Sequence, residues 1–424
     1  MAGLSDKLKS LGVKIGAQDI PKPSIAPKQD PAEILPGWPL VTPYGETYLV
    51  EKYYSPGELD SLYPGRTSSP LSTIASFTGE NSAAAIPLES LAFLDTETTG
   101  LSGGTGTFAF MIGVGRFESD SFHLAQFFMR DPSEEIAQLY ALEQFLAPCQ
   151  ALVTFNGKAF DVPLLNTRFT INGWPTPMPG LKQIDLLHLA RKLWRYRLPS
   201  RTLGNLEVQI LGTSRTEEDI PGWMIPQIYL EYLHSGDPSL VKNIFYHNAM
   251  DILSLTSLFN HISDLLTNPL DSSTQHAADL IALARVYEDQ GELDLAVNLY
   301  QRTIMVDTDG YPPSSTHVQP REIRLEACQR LAMIYKRQND YRNAVSFWER
   351  AAGDHHLDAM IELAKYYEHV QRDYDKAMEW TQSAADLLHQ SQSTDLDRLQ
   401  WLPEIEHRMK RLTQKYEQHA SNAT

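Results

Sequence analysis

"LAFLDTETTG", residues 91–100, joins four apolar residues to two acids set two positions apart. A short apolar run closed by glycine reads as a strand buried on both faces, near the middle of a sheet. Positions i and i+2 of a strand point the same way, so Asp95 and Glu97 converge on one face. A D-x-E pair on a solvated surface is commonplace. At the end of a buried strand it needs compensating charge.

Working outward, "TFAFMIGVGRFE" (107–118) and "SFHLAQFFMR" (121–130) read as two strands joined by the tight turn Ser119-Asp120. "SEEIAQLYALEQFL" (133–146) has helical spacing, with Ser133 as its cap. "ALVTFN" (151–156) is a further strand, and "VPLLNTRFT" begins a helix after Asp161. "LKQIDLLHLARKLWRY" (181–196) is a brief strand feeding a helix, and two more helices are predicted over 202–211 and 239–264. Three antiparallel strands followed by alternating helix and strand predict an α/β domain with a mixed sheet over residues 87–265. Residues 41–86 contain strand-like pieces such as "ETYLVEKYY" and are expected to form an accessory β segment packed on that domain. Residues 1–40 are Pro-rich and cannot bury a core, so they are expected to be a flexible tail.

"TNPLDSSTQ" (267–275) marks a linker, placed at 266–277, and an all-α region follows over 278–424. "LARVYEDQGELDLAVNLY" (283–300), "LAMIYKRQNDYRNAVSFW" (331–348) and "LAKYYEHVQRDYDKAMEWT" (363–381) repeat one pattern, the third with an extra residue in its turn. The pattern resembles tetratricopeptide repeats, with Ala284, Ala332 and Ala364 where paired helices approach closely. A plain array of helical hairpins is the other reading, and both give an α-solenoid.

The chain of 424 residues has a net charge of −17, which speaks against non-specific coating of nucleic acid. Its two cysteines, Cys149 and Cys328, are far apart, so a disulfide framework is not expected. With no apolar run near the roughly 18 residues of a membrane span and no apolar leader at the start, a cytoplasmic protein is expected. One candidate patch of cations lies over 191–201, where Arg191, Lys192, Arg195, Arg197 and Arg201 have no acid between them. That stretch is either a polyanion contact or a solvated helix face.

Two further acids come into view. Asp161 ends "FNGKAFD" (155–161), where it either caps the next helix or joins the first pair. Asp251 lies in "FYHNAMDIL" (245–253), beside the apolar stripe of Leu253, Leu255 and Leu258. One pair of carboxylates 4 Å apart repels by about 4 kcal/mol at an effective dielectric near 20. Divalent cations offset that, and all-oxygen ligands select Mg²⁺ or Mn²⁺. Two such ions suit phosphodiester hydrolysis, one activating water and the other stabilising the leaving oxygen.

Asp95-x-Glu97, Asn156-x3-Phe160-Asp161 and Asp251 preceded by Tyr246 and His247 resemble the three motifs of the DEDD 3′→5′ exonuclease superfamily. More narrowly, "DTETTGLSGGTGTFAFMIGVGRF", "DIPGWMIPQIY" and "HNAMDILSL" resemble the YprB-like ribonuclease H-like domain. The resemblance implies a ribonuclease H-like fold and a nucleic-acid 3′ end as substrate. It implies two Mg²⁺ or Mn²⁺ ions held by Asp95, Glu97, Asp161 and Asp251. Asn156 and Asp185 would support the ligands from behind, although Asp185 is equally a helix cap. Thr96, Gly104, Thr105 and Lys158, with Arg191, Arg195 and Arg197 of the basic stretch, are the candidate substrate contacts. Gly104 and Thr105 belong to "SGGTG", which is read either as a turn open to a phosphate or as a plain turn.

In that superfamily the third motif has His five residues before the Asp or Tyr four before it. Here the two are exchanged, Tyr246 at minus five and His247 at minus four. Helical i, i+4 geometry and an ordinary pKa about 6.5 favour His247 as the base, with Tyr246 the alternative. The repeats are expected to bind a protein or peptide. A different class of function, an idle nucleic-acid-binding or scaffold module, remains the competing reading, and DNA and RNA are not distinguished.

Overall fold

The apolar run at 91–94 does form a central strand. The computed structural model describes residues 34–62, 71–100, 106–271, 276–306, 318–389 and 395–422. Most of the Pro-rich tail, together with Gly104 and Thr105, lies outside the described residues. Among these residues, seven strands form one sheet: β1 (Trp38–Thr42), β2 (Gly45–Tyr54), β3 (Leu91–Thr98), β4 (Ala109–Glu118), β5 (Ser121–Phe128), β6 (Ala151–Thr154) and β7 (Lys182–Asp185). Their order is β1-β2-β5-β4-β3-β6-β7, antiparallel from β1 to β3 and parallel from β3 to β7. The segment expected as an accessory piece supplies strands of this same sheet, because β2 pairs along β5 from Tyr48↔Phe128 to Tyr54↔Phe122.

Among the described residues, eight α-helices surround the sheet: α1 (Pro56–Leu62), α2 (Leu71–Thr78), α3 (Glu135–Leu146), α4 (Asp161–Ile171), α5 (Leu186–Leu193), α6 (Leu203–Leu206), α7 (Ile225–Ser235) and α8 (Lys242–Thr267). The sequence reading missed α7, whose Tyr229 stacks on Phe110 with ring centres 3.8 Å apart. Alternation along β3 divides the core. Ala92 and Leu94 pack on the face covered by α3 and α4, whereas Leu91 and Phe93 pack on the face covered by α8. Phe93 meets Phe259 of α8 edge-on at 5.5 Å. By the same alternation Asp95 and Glu97 face α8, and Thr96 faces α4.

Helix α8 is buried on every side from Ile252 to Phe259, where it packs between the sheet and helices α2 and α6. Three hairpins follow: α9 (Ala277–Gln290) with α10 (Leu293–Met305), α11 (Pro320–Arg337) with α12 (Tyr341–Gly353), and α13 (Leu357–Tyr366) with α14 (Tyr374–His389). A last helix, α15 (Asp395–Asn422), packs on α14. Ala284, Ala332 and Ala364 are buried as the repeat pattern requires. The extra residue of the third copy is taken up by a π-helical turn over Tyr367–Gln371. Repeats and sheet share one continuous core, and polar contacts reinforce it: Tyr287 donates to the Leu266 carbonyl, and Arg197 meets Asp279 at 2.6 Å.

Candidate metal centre

At the end of β3 the ladder with β4 slips between Glu97 and Thr98, a bulge that re-aims the strand at the acids. Thr96, on the α4 side, donates its hydroxyl to Asp161 Oδ1 at 2.5 Å. Asp161 is the first residue of α4, and α4 begins there because Val162 and Leu165 drop into the core. Asp251 comes from the middle of α8. His247 and Asn248, four and three residues earlier, share its face of the helix.

The four carboxylates that the sequence singled out therefore meet in one place. Burial first, and then the charges of Asp251, Glu97 and Asp161, hold the Asp95 carboxyl well above the usual carboxylate range. Burial, followed by Asp251 and Asp161, does the same to Glu97. Burial pushes Asp161 up to about 6, against the pull of its bond from Thr96. Glu97 is only 9% exposed, and its Oε1 has no hydrogen-bond partner. An orphaned carboxylate oxygen at this depth is costly unless a cation or proton meets it, so these donors fit a divalent ion.

Several residues that order this site were not found by sequence reasoning. Asn248, fully buried, donates from Nδ2 to Asp95 Oδ2 at 3.1 Å and accepts from Gln126 Nε2 at 3.0 Å. Gly113, opposite Asp95 in the ladder, leaves the space that Asn248 occupies. Arg215 reaches in from the loop before α7 and donates to Asp251 Oδ1 and to Glu207 Oε2. Asp219 lies 2.7 Å from His247 Nδ1. Asn248 could have been suspected, since it shares a helical stripe with Asp251. Arg215, in the polar stretch "TSRTEED" (213–219), carries no such signal.

The remaining candidates separate. His247 Nε2 faces Asp251 Oδ2 at 3.3 Å. Tyr246 instead turns to the loop, its hydroxyl accepting from the Thr216 N–H at 3.0 Å. Asp185 caps α5 through the Leu187 N–H and clasps the Asn156 and Lys158 N–H groups at 2.8 and 3.1 Å. It thereby shapes the turn ahead of Asp161, with Asn156 held at φ +70°. Lys158 pairs with Glu80 at 2.9 Å. The basic stretch does not act as one patch. Arg191 and Arg201 line a cleft of about 500 Å³ with Asn156 and Leu203, whereas Arg197 and Lys192 face Asp279 and Asp289 of α9. Arg195 lies over the Tyr196 ring. A second cleft, of about 420 Å³, lies on the other side of Leu203 and is lined by Arg215, Asp219, His247 and Asp251.

Residues 92–263 match the RNase_H superfamily, and residues 280–310 and 327–358 match the tetratricopeptide repeat. Fold and sequence thus define the class: a ribonuclease H superfamily domain joined to tetratricopeptide repeats. Uncharacterized protein YprB of Bacillus subtilis (strain 168) is 34% identical over 333 residues, which cover 77% of this chain and 75% of that protein. The chain belongs to the YprB family. Among solved structures, the family B DNA polymerase from the hyperthermophilic archaeon Pyrobaculum calidifontis aligns with 51% of this chain at 14% identity and a TM-score of 0.34. The chain spans 28% of that polymerase's length, and so slight a likeness carries no weight for function.

Proposed function

We propose that the protein is a divalent-metal-dependent 3′→5′ exonuclease that hydrolyses phosphodiester bonds of DNA or RNA. The observation that carries this reading is the convergence of Asp95, Glu97, Asp161 and Asp251, with Glu97 Oε1 left without a hydrogen-bond partner. A protein has little reason to keep four acids this close unless something neutralises them. The acids would hold two Mg²⁺ or Mn²⁺ ions, which supply an activated water and charge stabilisation at the leaving oxygen. Asn248 fixes the Asp95 carboxylate and Thr96 fixes that of Asp161. Arg191 and Arg201, which line the cleft beside Asn156, would take backbone phosphates of the incoming strand. The repeats would recruit a protein or peptide. Among the described residues, no helix is long and apolar enough to cross a membrane.

One observation favours a second reading, an idle nucleic-acid-binding or scaffold module: Arg215 partly neutralises Asp251 without any metal. Hydrolysis of 5′-labelled single-stranded DNA and RNA in Mg²⁺ and in Mn²⁺ decides between them, with Asp95→Asn beside the wild type. A ladder shortening from the 3′ end, absent in Asp95→Asn, supports the nuclease. No cleavage in either metal leaves the idle module.

A further inference from the structure

We propose that His247 is a metal ligand, so that Glu97, His247 and Asp251 form a mixed nitrogen–oxygen site that prefers a divalent transition-metal ion, Mn²⁺ among them, to Mg²⁺. This deepens the nuclease reading and rests on it. It replaces the base role expected of His247 with a structural hold on one cation.

Three observations converge. Glu97, His247 and Asp251 each present one donor atom, and these atoms all lie within 4.8 Å of one another. Glu97, nine-tenths buried, has one carboxylate oxygen, Oε1, without a hydrogen-bond partner. The third observation is the orientation of the imidazole. Its Nδ1 lies 2.7 Å from Asp219 Oδ1 and 3.3 Å from Arg215 Nη1. A carboxylate can only accept, and it makes the shorter contact, so Nδ1 carries the hydrogen. The lone pair is then on Nε2, which faces Asp251 Oδ2 at 3.3 Å. Two adjacent donors on one ion, each about 2.1 Å from it, sit roughly 3.0–3.4 Å apart.

A carboxylate behind a histidine is the usual means of fixing the ring and raising its basicity toward a metal. Asp219 takes that place, and Arg215 holds both Asp219, at 3.5 Å, and the other oxygen of Asp251. The choice of ion follows from the donors. Oxygen-only sites suit Mg²⁺, while an imidazole nitrogen shifts preference toward first-row transition metals. The other occupant of the gap between Nε2 and Oδ2 is a proton, which would make His247 an acid. The two alternatives differ in metal affinity and in whether nitrogen is bound to the ion.

The test uses the full-length protein, titrated calorimetrically with Mn²⁺ and with Mg²⁺, and pulsed electron paramagnetic resonance of bound Mn²⁺. Wild type is expected to bind Mn²⁺ at least tenfold more tightly than Mg²⁺ and to show nitrogen modulation in the Mn²⁺ echo. His247→Gln should lose the modulation and at least tenfold in Mn²⁺ affinity, with Mg²⁺ affinity little changed. Asp219→Asn, which leaves the imidazole in place, should cost about 10–100-fold in Mn²⁺ affinity. Thermal unfolding of each variant checks that the fold is kept. Wild-type Mn²⁺ without nitrogen modulation, or full Mn²⁺ affinity in His247→Gln, overturns the ligand assignment. If Asp95→Asn still abolishes hydrolysis in that case, the nuclease reading survives alone. If wild type binds neither ion, both readings fall.

Discussion

Gly113→Ala tests whether Asn248 is what orders the acid cluster. Gly113 pairs with Asp95 across β3 and β4, and a Cβ there would lie 2.2 Å from Asn248 Oδ1 and 2.8 Å from its Cγ. The added methyl is the Cβ itself, so no rotation relieves the clash. Asn248 is fully buried and has no solvent to move into. Its displacement would strain the packing by about 1–3 kcal/mol. It would also loosen the bonds to Gln126 and Asp95, each with a net value of about 1 kcal/mol. Restricting the unfolded chain opposes this by only about 0.4–1 kcal/mol. The expected result is a loss of about 3 kcal/mol and a Tm lower by roughly 3–6 °C. Pairing the change with Asn248→Ala removes the clash, so the double variant should recover at least half of the lost stability. Asp95 remains unheld, and metal affinity should stay low. Denaturant unfolding and calorimetry on the two single variants and the double variant supply both readouts. A Gly113→Ala protein within about 0.5 kcal/mol of wild type, or a double variant no more stable than the single, would refute the reasoning.

The C-terminal helix gives a second prediction. Burial alone would raise the Glu368 carboxyl, but hydrogen bonds from Arg411 and Lys415 bring it down to about 2, and Arg408 adds a contact at 2.9 Å. With the folded pKa depressed, the contribution is present above the ordinary value of 4.5 and is lost as pH falls toward about 2. Glu368→Gln should cost about 3 kcal/mol at pH 7 and should flatten the acid limb of stability, measured by urea unfolding at pH 7 and pH 3. An unchanged midpoint at pH 7 would discount the clamp. For substrate binding, Arg191→Glu with Arg201→Glu should lower the salt slope of nucleic-acid affinity by about 2. Arg197→Glu should lower stability and leave that slope alone. The reverse pattern would place the phosphate path on the α9 side.

The local chemistry was legible in the sequence. The apolar run before Asp95, the tight turn between β4 and β5, and the buried alanines of the repeats each follow from short-range rules that any chain obeys. The acids Asp95, Glu97, Asp161 and Asp251 were also visible, because charge beside an apolar run stands out. What tertiary structure alone decided was which groups face one another. Arg215 reaches Asp251 across 36 residues of chain and Asn248 reaches Asp95 across 153, and no periodicity encodes such pairs. Tyr246 and His247 part for the same reason. One helical step of about 100° turns one ring to Thr216 and the other to the acids. The basic stretch divides for a related reason: Arg197 and Lys192 face α9, while Arg191 and Arg201 face the cleft. Composition and spacing report what a residue can do, and packing between distant segments determines which partner it meets.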